Sequence, residues 1–564
     1  MNFDSFILFD GAMGTMLQKR AQNTAEIPEL LNLTEPDTVV GVHKDYVLAG
    51  ADVITTNTFG ANSLKMGGKY NVAEIVSAAV KNARLSGAKH IALDVGPTGA
   101  LLEPLGELSF DDAVKVFSEQ ISAGVKSGID CIIIETMSDL LETKAAVIAA
   151  KDCCSLPVIA SMTFGPDGKT FLGSDAVTAT ITLCSLGVSA VGANCSVGPE
   201  SMLPIVSDIL KYSTVPVIIQ ANAGMPVNTD GITSYPCSPH EYNEFIKGII
   251  NMGVTVLGGC CGTTPEYTAL MRRAIDASEF KKHTVKPYTA FTSGRKSVIL
   301  TGDKIAVVGE RINPSFKENL QEALVEKNYS LAIDEALLQE DRGADLLEIN
   351  VTSANCEQSV TLTELVKEIQ AVCFLPLIID SADLNALSSA VRIYNGRPVI
   401  NSVNGKSESL DTILPLAVKY GAAVIALTLD DNGIPKTAEG RLLIAKRILS
   451  KALDYGLKKE DVIIDCLTLT ALTNQVELIE TLKSVKLVKS TLGIRTVLGI
   501  SNLFFPMPSR KLLNSVFLAA ALGAGLDIPI LDPLSDEGMR VISAYRVINN
   551  EDPGAEALIK KLNN

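Results

Sequence analysis

Three cysteines stand where they could hold a metal ion together: Cys195 in GANCSVG, and the adjacent Cys260 and Cys261 in LGGCCGT. Each closes an apolar run of the kind that forms a buried parallel strand, so three soft ligands from two strands could share one face. Soft sulfur donors select Zn²⁺, and three protein ligands leave the fourth tetrahedral position to a substrate. Three thiolates on a divalent ion make the site net negative, which blunts it as an activator of water. A substrate that is itself a thiol gains instead, because coordination deprotonates a group whose ordinary pKa is about 8.5. The competing readings are that the cysteines are small buried hydrophobes, or that Cys260 and Cys261 form a redox pair or a structural metal clip. A second adjacent pair, Cys153 and Cys154 in KDCCSLPVIA, precedes a strand instead of ending one and serves as an internal comparison. Acids at two other run ends, Asp10 and Glu135, could accept the ammonium of an amino-acid substrate. Capping of the following helices is the alternative task for such residues.

Positioning these side chains requires many strand ends at one level. Apolar runs bounded by Gly, Pro, Asn or Asp fall at 7–10, 53–59, 91–96, 131–136, 158–164, 190–195, 217–222 and 254–261, with helical patterns between them. A polar stretch with Pro287 and Gly294 then breaks the rhythm, and eight more runs follow at 305–310, 346–350, 377–380, 399–401, 424–429, 462–465, 497–500 and 528–531. Eight and eight predicts an α/β chain of two tandem (β/α)8 TIM barrels, at 1–280 and 301–564, joined by a linker at 281–300. In such barrels the C-terminal strand ends carry the chemistry.

Composition narrows the partners. The chain has 564 residues, 47% hydrophobic, with a formal charge of -15, which argues against nucleic acid and anionic membrane. Eleven cysteines without a charged leader at MNFDSFILFD point to the reducing cytoplasm. No apolar stretch reaches the roughly 18–20 residues a spanning helix needs. Four histidines leave little scope for a histidine metal site.

In the second half the polar residues closing the runs are Glu310, Asn313, Asn350, Asp380, Asn401, Asp465 and Asn502. Such a set suits a flat, hydrogen-bonding heterocycle. A pterin offers an amide N–H beside an exocyclic amine, a donor pair that one carboxylate, Asp380 or Asp465, can accept; Asn401 and Asn502 can satisfy its ring carbonyl and nitrogens. Each residue taken singly has a turn or cap role as its alternative.

Over roughly the first 280 residues, DGAMGT (10–15), TNTFGAN (56–62), ETM (135–137), GANCSVGP and GGCCGTTP resemble the homocysteine S-methyltransferase family. That resemblance implies zinc on Cys195, Cys260 and Cys261, with homocysteine sulfur in the fourth position. From about 305 to 534, GERINP, LPLIIDS, INSVNG and GISNLFFPMPSRKLLNSVFL resemble the pterin-binding domain of cobalamin-dependent methionine synthases more than dihydropteroate synthases. LEINVTSANC departs from the pattern, since Glu348 stands where relatives often have Asp, and this touches the role of Asn350 as well. Together the halves resemble the homocysteine- and folate-binding modules of that family. The resemblance implies methyl transfer from 5-methyltetrahydrofolate to cob(I)alamin at the second barrel, and from methylcobalamin to zinc-bound homocysteine at the first, giving methionine. Asn502 is the candidate donor to the folate N5, with ordered or bulk water as the alternative source of the proton.

The cobalamin module of the family carries Asp-x-His-x-x-Gly. His43, His90, His240 and His283 follow Gly41, Ala88, Ser238 and Lys281 two positions earlier, so none fits. Cobalamin is therefore expected from another domain of a longer polypeptide or from a partner in trans. The rival is a cobalamin-independent transferase, using betaine or S-methylmethionine, fused to a separate pterin enzyme such as dihydropteroate synthase.

Overall fold

Short β-branched runs alternate in this chain with stretches that bring their own capping residues, and each local signal becomes one element. In helix Phe110–Ser127, Ser109 accepts a hydrogen bond from the Asp112 N–H, Asp111 and Asp112 sit in the first turn, and Gly128 ends the helix in the left-handed region. Its buried stripe includes Ala113, Phe117, Ile121 and Gly124. The computed structural model describes all residues except 22–26, 196, 230–231, 316, 353, 469–474, 502, 505–506 and 563–564. They form two compact units, Met1–Lys286 and Pro287–Asn564.

The first unit is an eight-stranded parallel sheet of β1 (Ile7–Leu8), β2 (Val53–Thr55), β3 (His90–Val95), β4 (Cys131–Met137), β5 (Val158–Met162), β6 (Ala190–Asn194), β7 (Val217–Gln220) and β8 (Val256–Leu257). A parallel bridge between Phe9 and Val53 joins β1 to β2 and brings the sheet round on itself. Inward side chains such as Phe9, Val53, Ile133, Ile159, Ile218 and Val256 fill its interior, as expected of strands buried on both faces. Several strands stop short of the apolar run that announced them. β8 ends at Leu257, and the two glycines that follow, whose N–H groups donate to the Ile219 and Asp10 carbonyls at 3.2 and 3.0 Å, carry the chain on to Cys260 and Cys261.

The second unit is a closed barrel of β9 (Val308–Ile312), β10 (Leu346–Asn350), β11 (Leu377–Asp380), β12 (Val399–Asn404), β13 (Ala423–Leu427), β14 (Val462–Asp465), β15 (Arg495–Gly499) and β16 (Ile528–Leu531). Its register aligns Asn350 with Asp380 and Asp380 with Asn401, so three polar strand ends share one level.

Of the stretch expected as a linker at 281–300, residues 281–288 carry no regular structure, whereas 289–300 form a hairpin. Thr289–Thr292 pairs antiparallel with Ser297–Leu300, and Phe291 and Leu300 join the core of the second unit. The buried Arg397 anchors this hairpin, donating from Nη1 to the Ala290 carbonyl at 3.0 Å, while the Thr292 and Arg397 backbones exchange hydrogen bonds. Pro287, Gly294 and the charges masked a short alternating pair whose partner residues lie about a hundred positions away. Among the described residues no helix is long and apolar enough to cross a membrane.

Candidate functional site

At the C-terminal face of the first barrel the sulfur atoms of Cys195, Cys260 and Cys261 lie within 4.8 Å of one another. The Cys195 and Cys261 sulfurs are 3.9 Å apart. Tetrahedral zinc with Zn–S bonds of about 2.3 Å requires sulfur–sulfur edges of about 3.8 Å, so this donor set fits that ion. Cys195 follows β6 directly with φ 58°, a left-handed backbone that non-glycine residues rarely adopt. Its N–H donates to the Gln220 carbonyl at 3.0 Å and its own carbonyl accepts from Val197 at 2.7 Å, which holds that conformation. Across the site, Gly262 has φ +82°, and a Cβ there would stand 2.3 Å from the Tyr235 ring. Glycine is thus required for the chain to turn away beneath that tyrosine. The Cys260 carbonyl accepts from Thr263 Oγ1 at 2.7 Å, and Tyr242 ties the carbonyls of Ala221 and Gly258 together at 3.0 and 3.1 Å.

The carboxyl groups of this face are buried. Asp10 is 2% exposed and accepts from the Thr55 N–H and hydroxyl, both at 2.9 Å. It caps no helix; the helix Met13–Arg20 has no side-chain cap, and Asp10 instead ties the end of β1 to β2. Burial pushes Asp10 up to about 8 and Glu135 up to about 7. Asp94 is raised well above the usual carboxylate range by burial and by the neighbouring Glu135 and Asp10 charges. Three acids are gathered with little positive charge to balance them, and a ligand ammonium would restore the ionised forms.

Asn194, which sequence reasoning passed over, links the two halves of this face. Its Nδ2 lies 3.3 Å from Glu135 Oε2, 2.8 Å from Thr136 Oγ1 and 3.9 Å from the Cys260 sulfur, and its Oδ1 accepts from the Thr136 N–H at 2.9 Å and Ser161 Oγ at 2.8 Å. The one signal for it was an amide just before Cys195, at the end of a buried run. Tyr235, whose hydroxyl donates to the Cys261 sulfur, arrives on a loop with no such signal. Asn194→Ala is expected to weaken zinc binding about 10–100-fold, as loss of an orienting partner does; competition with a chromophoric chelator measures it. Cys153 and Cys154 stand apart from this cluster, packed against Ser122, Ser118 and Ala150.

The second barrel opens at its C-terminal face into a cleft of about 470 Å³. Glu310, Asn313, Glu348, Asp380, Asn401 and Asp465 line it, with Arg311, Lys317 and Asp532 at its edge. Asn350 is spent elsewhere: its Nδ2 donates to Asp380 Oδ2 and its Oδ1 accepts from the Thr352 N–H, both at 2.7 Å, so it supports Asp380 from behind. Asn401 Nδ2 donates to Glu348 Oε1 at 2.9 Å. Burial pushes Asp465 up to about 6, Glu310 up to about 7 and Glu348 up to about 8, the last aided by the Asp380 and Glu310 charges. Asn502 lies outside the described residues. Arg311 and Asp532 were missed by sequence reasoning. A register shift between Gly309 and Ile312 brings Arg311 round to clasp Glu335 at 2.6 and 2.7 Å and Asp532 at 3.1 Å.

Comparison with known proteins follows the same division. The family model described as homocysteine S-methyltransferase matches residues 7–275, and that described as pterin binding enzyme matches 309–532. A methionine synthase of Mycobacterium leprae is 32% identical over 571 aligned residues, covering 93% of this chain and 47% of that protein. A methionine synthase of Mycobacterium tuberculosis is 31% identical, again covering 93% of this chain and 47% of its own length. The chain thus spans about half the length of the curated relatives it matches. The crystal structure of the metallated homocysteine methyltransferase MmuM from Escherichia coli aligns with 48% of this chain and 96% of that one, at 21% identity and TM-score 0.42.

Proposed function

Because the chain joins a homocysteine S-methyltransferase domain at 7–275 to a pterin-binding-enzyme domain at 309–532, we propose that it carries out two methyl transfers of the methionine synthase type. In the second unit a methyl group leaves N5 of 5-methyltetrahydrofolate for cob(I)alamin; in the first, homocysteine accepts a methyl group from methylcobalamin and becomes methionine. The single observation that carries this reading is the convergence of three sulfurs within 4.8 Å at a strand-end face beside buried carboxyls. Cys195, Cys260 and Cys261 would hold zinc, and bound zinc supplies the charge that keeps a substrate thiol deprotonated near neutral pH. Asp10 and Glu135 accept the homocysteine ammonium, which returns both carboxyls to their ionised forms. In the other cleft Asp465 and Asp380 accept the pterin's amide and amine hydrogens, and Asn401 bonds its ring carbonyl or nitrogen. Asn502 remains the proposed donor to N5. Cobalamin comes from a module beyond the residues of this chain, and the reducing cytoplasm suits the open thiolate site.

Two separate assays on the purified chain test the reading: methylcobalamin with homocysteine, and cob(I)alamin with methyltetrahydrofolate. Both are expected to turn over. Failure of both, with methylation of homocysteine from betaine, would make the cobalamin-independent alternative the correct one.

A further inference from the structure

Arg441 takes no part in the sites above, yet its side chain is fully buried in the second unit. It lies in the first turn of helix Ala438–Tyr455, where a cation opposes the helix dipole. Burial adds a desolvation cost, so its contacts must outweigh both. Nε donates to the Pro435 carbonyl at 2.9 Å. Nη1 reaches the carbonyls of Cys466 and Leu467 at 2.9 and 3.0 Å and Thr481 Oγ1 at 2.8 Å. The Thr481 hydroxyl is also 2.9 Å from the Leu467 carbonyl. Leu467 has φ 58°, and in that left-handed conformation its N–H donates to Asp465 Oδ1 at 2.7 Å. One guanidinium therefore fixes the two carbonyls that follow Asp465, and the turn it fixes grips one oxygen of that carboxylate.

We propose that Arg441 is a positioning residue for the second barrel, holding the backbone of Cys466 and Leu467 in the turn that aims the Asp465 carboxylate into the cleft. A lysine would keep the charge but lose the planar fork that reaches Pro435 and both carbonyls at once. The charged and titratable groups that feel Asp465 are Glu348 on β10 and Cys466 beside it, whereas Glu477, 3.8 Å from Arg441 Nη2, and Glu480 on the next helix face the guanidinium; Arg441 is the cation that favours the ionised form of Asp465. The effect on turnover rests on the pterin reading of this cleft, whereas the effect on Asp465 itself does not.

The test compares Arg441→Met, Arg441→Lys and Thr481→Val in the full chain. Carboxyl NMR of the substrate-free protein reads the Asp465 titration, which in R441M is expected to move upward by about one pH unit. The folate half-reaction is expected to lose about 10–100-fold in kcat/KM, the scale of a misplaced catalytic group, while homocysteine methylation stays within about twofold. R441K recovers part of the titration but little of the turnover. The double variant R441M/D465N is expected to match D465N alone within about twofold, because both act through one carboxylate. An unmoved Asp465 titration in folded R441M, or losses that multiply in the double variant, would overturn the proposal. If R441M does not fold, T481V must show the same shift in smaller measure, and an unmoved titration there overturns it equally. A wild-type chain without folate turnover, but with the shift present in R441M, leaves the positioning role standing and removes the pterin reading instead.

Discussion

Cys260→Ala is expected to strip the chain of zinc and to abolish methyl transfer to homocysteine. The apparent zinc-binding free energy of tetrahedral protein sites is about 10–16 kcal/mol, so one lost thiolate among three removes on the order of 3 kcal/mol or more, beyond a hundredfold in affinity. Metal analysis after dialysis should fall from about one zinc per chain to a small fraction of that. The folate half-reaction, in the other barrel, stays within about twofold of the parent. Cys153→Ala is the matched control, since that thiol faces Ser122 and Ser118 at the end of its helix and not the sulfur cluster. Zinc retained in Cys260→Ala, or lost to the same extent in Cys153→Ala, would contradict the metal assignment.

Asp465→Asn should spare the zinc and the homocysteine reaction and damage the folate reaction severely. Asparagine can keep the contact with the Leu467 N–H, 2.7 Å in the parent, but it turns an N–H₂ toward a pterin edge that itself only donates. Two charge-assisted hydrogen bonds are lost, about 3–5 kcal/mol together, or roughly two to three and a half orders of magnitude in kcat/KM. The pH profile carries a second signature. Burial pushes Asp465 up to about 6, and only the ionised carboxylate accepts both donors. The parent's kcat/KM should therefore steepen by a further factor of about tenfold per pH unit as the pH falls below that value. Glu310 and Glu348, raised further to about 7 and about 8, titrate above this limb, so Asp465→Asn removes the lowest limb alone. A variant that kept the acid limb near 6, or that lost both half-reactions equally, would place the pterin edge elsewhere.

The three cysteines and most of the carboxylates could be read from the chain because each stands at the end of an apolar run, and a parallel barrel places run ends on one face. Asn350 shows the limit of that rule. It shares the level of Asp380 and Asn401, yet its amide turns back on Asp380; strand level is a local property, while side-chain direction depends on neighbours from another strand. Glu348, read as a departure from a pattern, proves to be a buried acid bonded to Asn401. Asp10 offered either a cap or a ligand role; the helix that follows has no side-chain cap, and the contacts with Thr55 tie β1 to β2.

The sixteen barrel strands, the alternation of strand and helix and the sulfur donors are local facts of periodicity and residue type, and the amino-acid sequence determined them unaided. The separation of 3.9 Å between the Cys195 and Cys261 sulfurs, the bridge made by Asn194, the hairpin packed by Arg397 and the clasp of Arg441 on the Asp465 turn were decided by the tertiary structure alone. Each depends on burial and register between segments tens of residues apart or more, and a buried polar group reveals its purpose only through the partners that folding brings to it.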